Sequence, residues 1–262
     1  MGGYYRRCFG FFRCFGCFRC FGCFGCFGPG ASSRYNGNVT FRAVIFDFDG
    51  LIIDSETSIF DIWSEIYRDH GGELTLDQWR HALGTHNGFD PYAELLRQTG
   101  VTLSREIWVP RVRDEHWRRC EDEPLRPGVL DRLREAAELG LPAAVASSSS
   151  LEWVGSWLTR HGLRGLVQAV CTRDDVTRVK PSPDLFLLAA DRLGVAPARC
   201  VVFEDTPNGV TAAHAAGMWA IAVPSPLTRT LHFPAPHVTL ESLSDRTLAE
   251  MQQDIAFLPR AR

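Results

Sequence analysis

From residue 41 onward the chain alternates two textures. Short runs are apolar at nearly every position, and between them lie longer segments whose apolar residues recur every three to four places. The first texture predicts buried strands and the second predicts helices with one buried face. "FRAVIF" (41–46) reads as a β-branched and aromatic strand ending at Asp47. Residues 57–70 place Ile59, Ile62, Trp63, Ile66 and Tyr67 at helical spacing, and Gly71-Gly72 stops that helix. Further helical patterns cover about 75–83, 90–98 and 104–119, and no strand pattern falls between 57 and 123. "EDEPLRPG" (121–128) reads as a linker.

Beyond it, helix patterns at 128–139, 150–161, 183–193, 207–216 and 244–256 alternate with strand patterns. The strands are "LPAAVA" (141–146), "QAVCT" (168–172), "CVVF" (200–203), "WAIAV" (219–223) and "HVTL" (237–240). Continuously apolar strands alternating with helices predict an α/β fold: a Rossmann-like parallel sheet core with helices on both faces. The helical block 57–123 then interrupts a core made of residues 39–56 and 124–262.

Residues 1–38 match neither texture. From Cys14 they run in triplets, "CFGCFRCFGCFGCFG", a period that fits neither helix nor strand. Gly and Arg interrupt what a signal peptide would need as a continuous apolar stretch. No methionine lies between Met1 and Met218. The strand-bearing part opens at Val39, and a valine codon can serve as a bacterial start. We therefore read residues 1–38 as a low-complexity tail outside the functional protein, with Val39 as its candidate start.

Charge sharpens the picture. The tail holds five arginines and no acid, so the remainder carries 23 basic against 31 acidic groups. An acidic body speaks against nucleic-acid binding, and no apolar run is long enough to span a bilayer. Six of nine cysteines lie in the tail, leaving Cys120, Cys171 and Cys200 scattered, which is no disulfide framework and fits a reduced, cytoplasmic setting. Lys180 is the only lysine among 28 basic residues. A chain otherwise reliant on arginine keeps a compact ammonium there, where a planar fork is no substitute.

Three predicted strands run into polar residues: the first into Asp47-Phe48-Asp49-Gly50, the second into Ser147-Ser148-Ser149-Ser150, and "CVVF" into Glu204-Asp205. In an open parallel sheet, ligands bind at the carboxyl ends of strands. If these strands are neighbours, the three groups and Lys180 share one crevice. Asp47 and Asp49, two apart in extended chain, face the same way. Two such carboxylates repel unless one is protonated or a cation lies between them. An all-oxygen ligand set with Glu204 and Asp205 favours Mg²⁺. The same set offers a carboxylate nucleophile and a carboxyl acid–base. Ser147 with the following backbone N–H groups makes an anion site, and Lys180 offers charge neutralisation. Each piece also has an ordinary structural reading. Ser149-x-x-Glu152 has the form of a capping box. Thr206-Pro207 and Ser182-Pro183 have the form of helix starts. Their joint placement at three strand ends favours chemistry.

"DFDGLIIDSE" (47–56), Ser147, "KPSPDLF" (180–186) and "FEDTPNGVTAAHAAGM" (203–218) together resemble the four motifs of the haloacid-dehalogenase superfamily, in its β-phosphoglucomutase-like phosphatase branch. The resemblance covers about residues 42–240 and implies that the block 57–123 is a cap domain. It further implies that Asp47 attacks phosphorus and that Asp49 serves as acid and base. Asp47, the Asp49 carbonyl, Asp205 and possible further ligand Glu204 would hold Mg²⁺, and Ser147, Ser148 and Lys180 would bind phosphate. Dehalogenases of the superfamily lack the second aspartate, so Asp49 argues against dehalogenation. Substrate choice in this branch lies in the cap, where "LGTHNGFD" (83–90) offers His86 and Asn87. That stretch lacks the arginine–serine signature of the mutase, which favours hydrolysis. The expectation is a monomeric, Mg²⁺-dependent phosphatase of a small phosphomonoester such as a sugar phosphate. A phosphosugar mutase and a non-catalytic binding protein on the same fold are the alternatives.

Overall fold

A computed structural model of the chain describes residues 41–85 and 88–256. The tail 1–38, Val39, His86 and Asn87 lie outside the described residues, and with them the expectations that concern them. Strand β1 (Ala43–Phe46) is buried at all four positions. Four helices follow it: α1 (Ser55–Asp69), α2 (Leu76–Trp79), α3 (Pro91–Thr99) and α4 (Arg105–Cys120). The chain then alternates through α5 (Val129–Glu138), β2 (Ala143–Ala146), α6 (Leu151–Arg160), β3 (Ala169–Cys171) and α7 (Asp184–Leu193). It continues with β4 (Cys200–Glu204), α8 (Pro207–Ala215), β5 (Trp219–Ala222), β6 (Val238–Thr239) and α9 (Leu248–Ala256).

The strands form one parallel sheet in the order β3-β2-β1-β4-β5-β6. β1 lies between β2 and β4, and Phe46 sits opposite both Val145 and Phe203. The order reverses at β1, which opens a crevice at the carboxyl ends of β1 and β4. Alternate residues of each strand serve opposite faces. Val44, Phe46, Val145, Phe203 and Ile221 join large side chains such as Trp157, Leu133 and Met251 on one face. Ala43, Ile45, Ala144, Ala146 and Ala220 join Phe186, Ala190 and Val210 on the other. The small residues of that second face let α7 and α8 approach closely, and each large buried side chain on either face contributes about 1.5–3 kcal/mol.

Helices α1–α4 share a separate apolar cluster around Trp63, Tyr67, Trp79, Leu83 and Leu95. Leu227 and Leu231, from the loop after β5, pack against it. Two predicted helices are shorter than their patterns. The 75–83 pattern yields helix only over Leu76–Trp79, with Thr75 and Gln78 forming a capping box. The chain then tightens into turns, with Ala82 N donating to the Trp79 carbonyl (2.7 Å) and Thr85 N to that of Ala82 (3.2 Å), and the carbonyls of Leu83 and Gly84 accept from Asn208 Nδ2 (2.8 Å) and Ser148 Oγ (2.9 Å). The 244–256 pattern begins helix only at Leu248: Asp245 accepts from the backbone of Glu241 and Ser242, which curls the preceding segment into a turn.

Candidate active site at the strand ends

The three polar strand ends are neighbours in the sheet, and Lys180 joins them from the loop before α7. Lys180 is wholly buried, and its Nζ donates to Asp47 Oδ1 and to Glu204 Oε1, the latter at 2.7 Å. Burial alone would lower the ammonium's pKa, but the charges of Asp47 and Glu204 outweigh it and hold it above the ordinary lysine value. Glu204 Oε2 accepts from the N–H and the hydroxyl of Thr206, both at 2.9 Å. Thr206 in turn caps α8 by accepting from Gly209 N, with Pro207 at the first helical position. Thus the helix-start reading of "DTP" holds, and the same threonine also fixes Glu204.

Asp205 differs from its neighbour. It is fully buried, and neither carboxylate oxygen has a hydrogen-bond partner among the described residues. Its backbone carbonyl accepts from Thr228 Oγ1 at 2.6 Å, which fixes the main chain behind it. Gly50 makes room for this carboxylate. It turns the chain at φ +79°, and a Cβ there would lie 2.1 Å from Asp205 Oδ2. Arg126, in the predicted linker, donates to the Gly50 carbonyl and, at 3.0 Å, to that of Pro224, tying the turn to the chain after β5.

Carboxylate oxygens of Asp47, Glu204 and Asp205 lie within 4.8 Å of one another. Three carboxylates face one ammonium, an imbalance that fits a divalent cation. Burial first, then mutual repulsion, pushes the Asp47 and Asp205 carboxyls well above the ordinary carboxylate range, with Lys180 opposing at Asp47 and Arg126 at Asp205. A bound cation reverses that balance. The two unpartnered oxygens of Asp205 are what a metal ligand requires.

Asp49 points into a different set of contacts. Its Oδ1 accepts from Ser55 Oγ (2.7 Å) and Trp153 Nε1 (2.8 Å), and its Oδ2 from Ser147 Oγ (3.0 Å) and Ser149 Oγ (2.6 Å). The capping-box reading of Ser149 is therefore corrected. Ser150 caps α6 by accepting from Trp153 N, and the Ser149 hydroxyl is drawn to the charged carboxylate instead. The reading of Ser182 as a cap is also corrected. Pro183 takes the cap position without a side-chain bond, and Ser182 Oγ donates to Asp184. Ser148 reaches the Gly84 carbonyl rather than Asp47 or Asp49. Glu56 accepts weakly from Gly84 N at 3.4 Å, and burial, then the Asp49 charge, raises its pKa well above the ordinary value.

Two open clefts flank these groups. One of about 870 Å³ is lined by His81, Thr85, Arg178, Lys180 and Asn208. The other, of about 300 Å³, lies between α4 and α6, with His116, Ser149, Trp153 and Arg173 on its walls. Sequence reasoning missed Ser55, Ser149, Trp153 and Asn208 as site neighbours. Ser55 and Asn208 sat within recognised motifs, whereas nothing local marks Trp153.

The model for the family described as haloacid dehalogenase-like hydrolase matches residues 44–223. "Putative phosphatase YhcW" of Bacillus subtilis is 44% identical over 208 residues, covering 79% of this chain and 94% of that protein. Hexitol phosphatase B of Escherichia coli is 34% identical over 216 residues, covering 80% and 96%. Among solved structures, CbbY from Rhodobacter sphaeroides in complex with phosphate matches with a TM-score of 0.65 at 30% identity, covering 79% of this chain and 96% of that one.

Proposed function

The chain belongs to the haloacid dehalogenase-like hydrolases and is a phosphoric monoester hydrolase, and from the strand-end geometry we propose a Mg²⁺-dependent phosphatase of a small sugar or sugar-alcohol phosphate. The observation that carries this reading is the pairing of a lysine-held Asp47 with the unpartnered, buried carboxylate of Asp205. The name of the related hexitol phosphatase supports the substrate class. Helices α1–α4 serve as the cap over the sheet end.

Asp47, the Asp49 carbonyl and Asp205 would hold Mg²⁺, with Glu204 close enough to be a further ligand. When bound, the metal supplies charge stabilisation at the transferring phosphoryl oxygens. Lys180 aims the Asp47 carboxylate by a direct contact, and its charge opposes the rise that burial imposes on that group. An Asp47 oxygen forms a bond to phosphorus as the bond from phosphorus to the leaving oxygen breaks, and Asp49 gives that oxygen a proton. Asp49 then takes a proton from water, whose oxygen attacks phosphorus and releases the Asp47 carboxylate. Ser147, Ser148 and Lys180 bind the phosphoryl oxygens; the serine hydroxyls reorient from Asp49 and Gly84 to do so.

The test is release of inorganic phosphate from a panel of hexose, hexitol and pentose phosphates, with Mg²⁺ and after exhaustive chelation. We expect turnover only with metal, loss of about 10⁴-fold or more in Asp47→Asn, and loss of about 10²–10⁴-fold in Asp49→Asn. Full activity after chelation overturns the metal assignment. Isomerisation of β-glucose 1-phosphate without net phosphate release would establish a mutase instead.

A further inference from the structure

The four donors on the Asp49 carboxylate differ in kind. Ser55, Ser147 and Ser149 offer hydroxyls, which rotate and also accept, so each is free to change partner when a phosphate arrives. Trp153 offers an indole N–H, a donor only, whose direction is set by the plane of its ring. That plane is fixed. The Trp153 ring stacks on His116 at 4.5 Å and 23°, meets Trp117 edge-on at 4.8 Å, and meets Trp157 edge-on at 5.4 Å. Trp153 is 7% exposed. His116 is anchored in turn, its Nε2 lying 3.0 Å from the Ser55 carbonyl at the start of α1.

The consequence is geometric. His116 and Trp117 belong to α4, in the helical segment, while Trp153 and Trp157 belong to α6, beside the sheet. The aromatic stack joins the two and meets the site twice: through His116 Nε2 at the Ser55 carbonyl, and through the Trp153 N–H, which reaches the Asp49 carboxylate directly. Trp157 supplies the contrast: its own indole N–H is buried in the same stack and has no partner among the described residues.

We propose that Trp153 is the positioning residue for Asp49. Its indole N–H holds the carboxylate in one place while the serines exchange partners, and through the ring stack the placement of α4 sets the placement of the carboxylate. This rests on Asp49 acting as the acid–base group, as argued above.

Trp153→Phe keeps a ring in the stack and deletes the donor, and Trp157→Phe makes the same chemical change where no acceptor is present. A hydrogen bond to a charged group is large enough that we expect Trp153→Phe to lower kcat about 10- to 100-fold with KM within about twofold. Trp157→Phe should leave both near wild type. Independently of turnover, the full chain labelled with ¹⁵N at its tryptophans should show a Trp153 indole resonance shifted downfield by the carboxylate. Asp49→Ala should move that resonance upfield and leave the Trp157 resonance in place. Equal loss of kcat in the two tryptophan variants, unchanged kcat in Trp153→Phe, or a Trp153 resonance unmoved by Asp49→Ala overturns the proposal. If the wild-type chain releases no phosphate, the phosphatase reading fails by itself and the resonance decides whether Trp153 holds Asp49. The same measurement decides it if Trp153→Phe does not fold.

Discussion

The sheet end and the helical segment α1–α4 handle charge in opposite ways. At the sheet end, Asp47, Lys180, Glu204 and Asp205 are all buried. Lys180 and Glu204 are tied by direct contacts to groups from neighbouring strands and loops. In the helical segment the ion pairs lie at the surface: Glu94 with Arg97, Glu115 with Arg118 and Arg119, and Glu65 with Arg119. A buried charge is costly unless a partner offsets it, whereas an exposed pair gains little either way. A change of charge is therefore tolerated at the surface of the helical segment and not at the sheet end. The sheet end ties Lys180, Asp47 and Glu204 to one another and leaves the buried Asp205 carboxylate without a partner among the described residues, whereas the helical segment pairs its charges at the surface.

The largest break in that contrast should come from Lys180→Met. It leaves Asp47 and Glu204 facing each other in the interior without their shared cation. Removing one partner of a buried pair costs about 3–5 kcal/mol, which a denaturant titration of the metal-free protein should read as a lowered midpoint. Lys180→Arg should fail to restore activity, because a planar fork replaces a point charge packed 4.8 Å over the Phe186 ring. A midpoint within error of wild type for Lys180→Met would mean that the sheet end tolerates unpaired charge as the surface does.

A smaller effect should follow from Gly209→Ala. A Cβ there would lie 1.7 Å from Glu204 Oε1, so α8 or the glutamate must shift. Overpacking of this kind costs about 1–3 kcal/mol. At Gly155, in helix α6, a Cβ would meet only the end of Leu151 at 4.0 Å, so Gly155→Ala serves as the matched control and should be neutral or slightly stabilising. Equal melting temperatures for the two variants would remove the claim that Glu204 is held rigidly.

The smallest effect belongs to the helical segment. Arg97 holds the Glu94 carboxyl down at about 2, and Arg118 with Arg119 does the same for Glu115. With folded-state values below the ordinary 4.5, both groups stabilise the fold fully above that pH, and the contribution is lost as pH falls toward about 2. Solvent screening limits each to at most about 1 kcal/mol. Glu115→Gln should therefore flatten the acid limb of the stability profile only slightly. A loss as large as that of Lys180→Met would place Glu115 in the interior class.

Much of the site was legible because its residues sit at the ends of apolar strands. Asp47, Ser147, Glu204 and Asp205 each follow a run that has to be buried, and a polar group in that position has either a ligand or a partner. Strand–helix alternation likewise led to the parallel sheet. Local patterns misled where a distant group competed. Ser149 has the spacing of a capping box, but a hydroxyl beside a carboxylate makes the stronger, charge-assisted bond. The helical pattern at 75–83 is sound, but past Trp79 the backbone closes into i→i−3 turns, and Asn208 and Ser148 from the sheet end hold the carbonyls of Leu83 and Gly84 respectively.

By itself, the sequence determined the order of elements, the strand ends that carry acid and hydroxyl groups, and the single lysine among them. Those are matters of periodicity and residue type, which act over a few positions. Only the tertiary structure decided how the acids divide their contacts. Glu204 is spent on Lys180 and Thr206, Asp205 is left with two unpartnered oxygens, and Asp49 is bound to a tryptophan 104 residues away. Hydrogen bonds form between whatever groups the packed sheet and helices bring within about 3 Å, and that proximity across the fold leaves no trace in local spacing.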